Sequence, residues 1–208
     1  MGAAGVAAVL IVAAAPAAAA ELPLVLEPGF ARMKYVGGLP AGQAAATNDA
    51  GGLRAEFFLG EDPYSRRAPI PGYSWGAGAF LYMGGQGGYL SFDTYGQFAI
   101  QPPQVDILPR ATIGVDYLLF SDSKGFNSSS GFDLYIGAGL RLRARAGSLV
   151  PELDADYHRY ARSGANGYLA AGRVWFPALG SMVSLGARWR RLADAVEEYG
   201  ITVGYVFR

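Results

Sequence analysis

Cysteine is absent from the chain, histidine occurs once, and lysine occurs only at Lys34 and Lys124. The missing cysteine excludes a disulfide framework, so an exported form must be held by packing or by closed hydrogen bonding. With one histidine and no cysteine, no spacing of residues suits a zinc site, and none suits a calcium loop, so no metal or other cofactor is expected. An excess of charge is missing too. The 17 basic and 17 acidic residues cancel, which argues against a nucleic-acid partner. After residue 20 no apolar run is long enough for a spanning helix. A membrane form of this chain is therefore expected to cross as a closed barrel, the other structure that satisfies its own backbone in lipid.

What the chain does have is glycine and aromatic residues: 30 Gly, 13 Tyr and 11 Phe, against 16% charged residues. Apart from the two lysines, every basic residue is arginine. Residues 1–20 are uncharged, apolar from Val6 to Ala15, and end in Ala18-Ala-Ala20 before Glu21. That is the pattern of a secretory signal peptide with an Ala-x-Ala cleavage site, although no Lys or Arg precedes the apolar stretch. The alternative is a transmembrane helix, but alanine dominates the stretch and no basic flank follows it. Residues 21–208 then form one domain by length.

Period-two alternation recurs through those residues, and helical periodicity is hard to find. About ten strands are expected, with 8 to 12 as the range: near 29–37, 52–60, 72–84, 88–100, 106–120, 131–145, 149–160, 166–176, 181–192 and 198–207. An even count suits a bacterial barrel. The fold class is an all-β, antiparallel, up-and-down transmembrane β-barrel. In the sixth strand Phe132, Leu134, Ile136, Ala138, Leu140 and Leu142 share one face, while Asp133, Tyr135, Gly137, Gly139, Arg141 and Arg143 share the other. The fifth, seventh and ninth strands sort in the same way. With a periplasmic N-terminus, the connections Leu39–Gly51, Ser121–Ser130, Ala161–Ala165 and Ala193–Glu197 are extracellular. The short connections at 101–104, 146–148 and 177–180 are then periplasmic, the expected asymmetry. Two connections resist it: 85–87 is a short outer turn and 61–71 a long inner one.

Alternation does not give the sign of the faces. A soluble barrel of lipocalin type would turn the apolar face inward, and a membrane barrel turns it to lipid. The polar face here carries Gly, Arg, Asp and Tyr rather than the Lys and Glu of a solvated surface. Aromatic residues including Tyr35, Tyr73, Trp75, Phe132, Tyr157, Tyr168, Trp189 and Tyr205 fall near strand ends on the apolar face, where interfacial girdles belong. Both features favour lipid, and hence the cell outer membrane. The inward set then includes Arg32, Lys34, Arg54, Glu56, Asp93, Arg110 and Asp116. It continues as a lumen charge network of Asp133, Arg141, Arg143, Glu152, Asp154, Asp156, His158, Arg173, Arg188 and Arg190. With both signs present, a lumen filled by Arg–carboxylate pairs is favoured over a narrow polar channel.

His158 is the only candidate for histidine catalysis, and Asp156 shares its face near the outer end of the seventh strand. Such a pair at an outer rim could activate water or a nucleophile. Outer-membrane proteases and lipid A acyl-modifying enzymes carry their catalytic residues in such regions. The His-x-Ser pattern of lipid A deacylation is not met, since the chain reads His158-Arg159-Tyr160. The favoured reading is a lumen histidine hydrogen-bonded to Asp156, with no catalytic residue assigned. Glu152, Asp154 and Asp156 could offer oxygens to a divalent cation, but Arg143 and Arg173 are the nearer partners expected. Gly84-Gly-Gln-Gly-Gly88 reads as a strand turn rather than a phosphate loop, because no helix follows.

The stretch Gly200-Ile-Thr-Val-Gly-Tyr-Val-Phe-Arg208 resembles the C-terminal strand of bacterial outer-membrane β-barrels. That resemblance implies that Tyr205 and Phe207 form the signal read by the barrel-insertion machinery, with Arg208 as a departure from the usual terminal aromatic. Two further stretches resemble the MipA/OmpV outer-membrane proteins. One is Gly60-Glu-Asp-Pro-Tyr-Ser-Arg-Arg-Ala-Pro-Ile-Pro71, similar to their Gly-Ser-x-x-Tyr-Arg…Pro-x-Pro segment. The other is Arg191-Leu-Ala-Asp-Ala-Val196 with the closing strand Tyr199–Phe207. The resemblance implies a non-enzymatic structural or scaffold role in the envelope, with outer-membrane lipid and murein-processing proteins as partners. It brings no catalytic residues. The segment 61–71, with Arg66 and Arg67, would be the inner docking site. A small polar channel and a lipid A- or peptide-modifying enzyme using His158 remain the alternatives.

Overall fold

Alternating apolar and polar residues, punctuated by glycine-containing turns, build ten antiparallel strands. They are β1 (Leu24–Tyr35), β2 (Thr47–Leu59), β3 (Tyr73–Gly84), β4 (Gly87–Phe98) and β5 (Val105–Phe120). There follow β6 (Gly131–Ala144), β7 (Val150–Tyr160), β8 (Asn166–Ala178), β9 (Ser181–Leu192) and β10 (Val196–Phe207). The computed structural model describes residues 23–35, 47–59, 73–85, 87–120, 131–192 and 196–207. The expected signal peptide and the 60–71 motif lie outside the described residues. Each strand pairs with its sequence neighbour, and β1 pairs with β10, so the sheet closes into an up-and-down barrel. Closure leaves no open edge, as a bilayer demands. No described helix is long and apolar enough to cross a membrane.

Both described chain ends lie at one end of the barrel, since Leu24 pairs with Phe207. Two connections there are tight, while the one between β2 and β3, residues 60–72, is the longest of the barrel, as the sequence indicated. Ala146 bridges Leu149 across Gly147-Ser148, with Gly147 at φ +64°. Ala178 pairs with Ser181 across Leu179 and Gly180, at φ +52° and +76°. Two consecutive positive φ values are those of a type I′ hairpin turn, whose twist matches the strands. At the far end, β5 and β6 are separated by residues 121–130, and β1 and β2 by residues 36–46. Apart from the long β2–β3 connection and the two-residue β3–β4 turn at 85–86, longer connections stand opposite short ones, which marks the far end as extracellular.

The seam between β1 and β10 has a break. Leu26 pairs with Tyr205 and the ladder resumes at Gly29 with Thr202, skipping Glu27 and Pro28. On its other side β1 pairs with β2 without interruption through Pro28. Proline has no N–H to give, so one rung of the closing ladder is lost.

The outer wall is apolar. Phe30 is 73% exposed, Ile113 62% and Trp75 60%, and Leu134, Ile136, Leu153, Leu185 and Ile201 are exposed with them. The inside is filled in three layers. At the terminal end Val25, Phe58, Tyr95, Trp175, Met182 and Val206 form an apolar cluster. At the far end Met33, Phe80, Tyr82, Tyr89, Leu169, Leu192 and Val196 form another, with Ala31 and Ala50. Charged side chains occupy the space between. The apolar face is outward, as expected for a membrane barrel, and the soluble alternative with that face inward is excluded.

Candidate functional site in the sealed lumen

In the lower half of the charged layer, arginines from several strands share a few carboxylates. Arg141 on β6 donates from Nε to Asp154 Oδ1 at 2.7 Å and from Nη2 across the lumen to Glu56 Oε1 at 3.1 Å. Arg173 on β8 reaches Glu27 Oε1 at 2.9 Å and Glu152 Oε1 at 3.1 Å, and also Asp154. Arg54 on β2 pairs with both Glu27 and Glu56, and the Tyr95 hydroxyl donates to Glu56. Arg143 holds Glu152 at 2.8 Å, and Arg110 holds Asp156 from Nε at 2.7 Å. No carboxylate of the Glu152, Asp154 and Asp156 set is left for a cation. Among the described residues no three acidic, His or Cys groups converge to hold a metal ion.

The upper half is a second network. Arg188 on β9 donates from Nε to Glu198 Oε1 at 2.8 Å, and the Tyr89 hydroxyl donates to the same carboxylate. Arg190 reaches Asp116 at 3.0 Å and the Ser91 hydroxyl at 2.9 Å, while the Tyr160 hydroxyl donates to Asp116. Aromatic faces cover these guanidiniums: Arg188 lies 4.5 Å from the Tyr82 ring centre and Arg190 4.7 Å from that of Phe80. Planar, weakly hydrated cations suit such stacking, one reason for arginine rather than lysine inside. A cavity of about 40 Å³ lies among these side chains, room for roughly one to three water molecules.

Glycine makes this filling possible. A side chain at Gly76 would overlap the Tyr95 ring, and one at Gly139 would overlap the Asp156 carboxylate. Each of these glycines is the bed for a large side chain from the neighbouring strand.

Of the residues expected in the network, Arg141, Arg143, Glu152, Asp154, Asp156, Arg173, Arg188 and Arg190 meet one another or other lumen groups as described. Two do not behave as expected. Asp133 sits at the far rim, where its carboxylate accepts from the backbone N–H groups of Arg162 and Ser163, both at 2.8 Å. It fastens the β7–β8 turn and takes no part in the lumen. His158 is inside but not paired with Asp156: Arg110 occupies that carboxylate, and the imidazole stacks on Tyr135 with ring centres 4.3 Å apart. Its Nδ1 is buried without a hydrogen bond to protein.

Arg32 and Lys34 also depart from expectation, because they face outward. Alternation in β1 buries Val25, Glu27, Ala31 and Met33 and turns the even positions out. The cause is position along the strand: near the far end the outer wall leaves the hydrocarbon, so cations are tolerated there. Sequence reasoning missed Glu27 and Glu198, both fully inside. Glu198 shares a face with Gly200, Thr202 and Gly204, and that parity was the signal available for it. Tyr205 and Phe207 point outward with ring centres 4.6 Å apart, edge to face.

An apolar, aromatic-rich outer wall around a polar, backbone-satisfied interior fits only a bilayer. Solved structures of similar shape are bacterial outer-membrane barrels. The transport unit of the autotransporter AIDA-I from Escherichia coli aligns over 89% of this chain and 90% of its own, at 7% identity and a TM-score of 0.53. The chain is an outer-membrane β-barrel. Its place is the outer membrane. A KdgM porin covers 88% of the chain and 99% of itself at 9% identity, TM-score 0.42. Neisserial surface protein A covers 88% and 95% at 8% identity, TM-score 0.40. At 7% identity the likeness to the AIDA-I transport unit shows a shared fold alone. No protein-family model and no curated protein matches the chain, so its resemblance to the MipA/OmpV proteins rests on the two short motifs alone.

Proposed function

We propose that this barrel is a non-catalytic envelope protein that works through its outer surfaces, in a structural or scaffold role of MipA/OmpV type. The observation that carries this reading is the lumen: arginine–carboxylate networks fill it, an apolar cluster lies at each end, and the cavity among the charged side chains holds about 40 Å³. A hydrated ion needs a continuous aqueous path, and a side chain acting on lipid or peptide needs access. His158 stacks on Tyr135 with its Nδ1 unbonded, and Arg110 holds Asp156, the carboxylate that a catalytic pair would need. Tyr205 and Phe207 remain in this proposal the groups that the insertion machinery reads.

Planar-bilayer recording of the purified protein tests the closed lumen: no steps of conductance are expected, and steps that change on Arg141 or Arg188 replacement would install the channel reading instead. Mass spectrometry of lipid A from cells with the wild-type chain and with His158→Ala should give identical spectra. The scaffold role is tested by capture of murein-processing proteins on the purified barrel. Deletion of residues 61–70 should abolish that capture, and retention after deletion would remove the segment as the docking site.

A further inference from the structure

The outer wall is not uniform around the barrel. In the described strands every outward charged side chain, namely Arg32, Lys34, Asp49, Arg159, Arg191 and Glu197, lies on β1, β2, β7, β9 or β10, toward the extracellular end. From β3 to β6 none faces out. The same charged sector holds a hollow of about 1170 Å³ on the outer wall. Its floor is small: Gly51, Ala155, Ala170, Gly172 and Ala187. Trp189 and Tyr199 stand along it, and Arg32 and Asp49, joined at 2.8 Å, close its outer end. From β3 to β6 the wall sets large side chains among its alanines, with Trp75, Leu81, Phe92, Ile113, Leu134 and Ile136 all exposed.

A hollow of Ala and Gly at hydrocarbon depth has to be filled by something apolar, or its lining loses its neighbours on one side. The rim above it selects for charge. Lys34 pairs with no described residue, and it stands beside Arg32 on the same face of β1. Arg191 is opposite Glu197 in the ladder, which is itself opposite Lys34. Among the described residues cations outnumber carboxylates at this rim, on the side of the membrane where phosphate-bearing glycolipid forms the outer leaflet.

We propose that this sector is a binding site for one phosphorylated outer-leaflet glycolipid, with an acyl chain laid in the Ala155–Ala170–Ala187 hollow and a sugar phosphate held by Lys34 with Arg32. Trp189 and Tyr199 flank the chain at the depth where headgroup meets hydrocarbon, as interfacial aromatics do. The inference stands independently of the scaffold reading, since it concerns the lipid face and not the periplasmic end.

Native mass spectrometry of the full barrel in mild detergent tests it, with hexa-acylated bis-phosphorylated lipid A, its dephosphorylated form, and phosphatidylglycerol as probes. A one-to-one adduct with phosphorylated lipid A is expected, retained over both other lipids. Lys34→Gln should weaken it about fivefold, the worth of one cation at an anionic surface. Ala170→Phe should abolish it by filling the hollow, and Arg145→Gln, at the opposite end, should leave it intact. The boiling-dependent gel shift of each variant reports folding independently. Adducts unchanged in Lys34→Gln and Ala170→Phe, equal retention of dephosphorylated lipid or phosphatidylglycerol, or a protein dimer in place of the adduct would each overturn the proposal.

Discussion

Arg141 shares its guanidinium between Glu56 and Asp154 with no solvent-accessible surface on its side chain. Arg141→Met would leave both carboxylates facing one fewer cation in a dry interior, a change that typically costs about 3–5 kcal/mol. We expect a large fall in the urea midpoint of the folded gel band. Arg32 makes a pair of similar length with Asp49, but its side chain is 66% exposed. Solvent already screens that pair, so Arg32→Met should leave the midpoint where it is. The glycines supply a third test at this scale. Gly76→Ala drives a methyl into the Tyr95 ring, and overpacking of this kind costs roughly 1–3 kcal/mol. The same variant carrying Tyr95→Phe removes the hydroxyl overlap but leaves the ring carbons in the way and strips Glu56 of a donor, so it should not recover the loss.

Among the elements, the β8–β9 turn and the β1–β10 seam are the weak points. Leu179 is a non-glycine residue at φ +52° with its side chain 83% exposed. Leu179→Asn keeps the backbone carbonyl that accepts from Tyr205 while supplying a residue that tolerates the left-handed region. It should raise stability by about 1 kcal/mol, measured as a higher urea midpoint. At the seam the amides near Val203 and Gly204 should exchange with deuterium faster than their neighbours, and Pro28→Ala should slow them. Strand positions were legible because period-two alternation is a local signal, and β3 to β10 fall within a few residues of expectation. β1 and β2 begin at Leu24 and Thr47 rather than 29 and 52. Pro28 and the pair of glycines at 51 and 52 masked their first halves. The inward side of Arg141, Arg173 and Arg188 followed from parity alone. What parity cannot give is the partner: Glu56 meets Arg141 because the barrel curves, and that curvature joins positions no local pattern relates. Parity also failed where the solvent changes along a strand, as with Arg32 and Lys34.

For the molecule as a whole, the apolar outer wall and the sealed interior make one prediction. The protein should run faster unboiled than boiled in detergent, from the outer-membrane fraction, while passing no current. Loss of the shift with retained membrane fractionation would contradict a closed barrel. The pairs that cross the lumen have a further consequence. Arg173 meets Glu27 from 146 residues away, and Tyr89 meets Glu198 from 109. Each needs the sheet curled round on itself, because Glu27 stands on β1 and Glu198 on β10, the two strands of the closing seam. The interior is thus built like an arch with its keystone in the wall. Until the final strand is set, the charges gathered by the earlier ones have nothing to press against, and assembly must either finish in one movement or wait, open and wet, at the threshold.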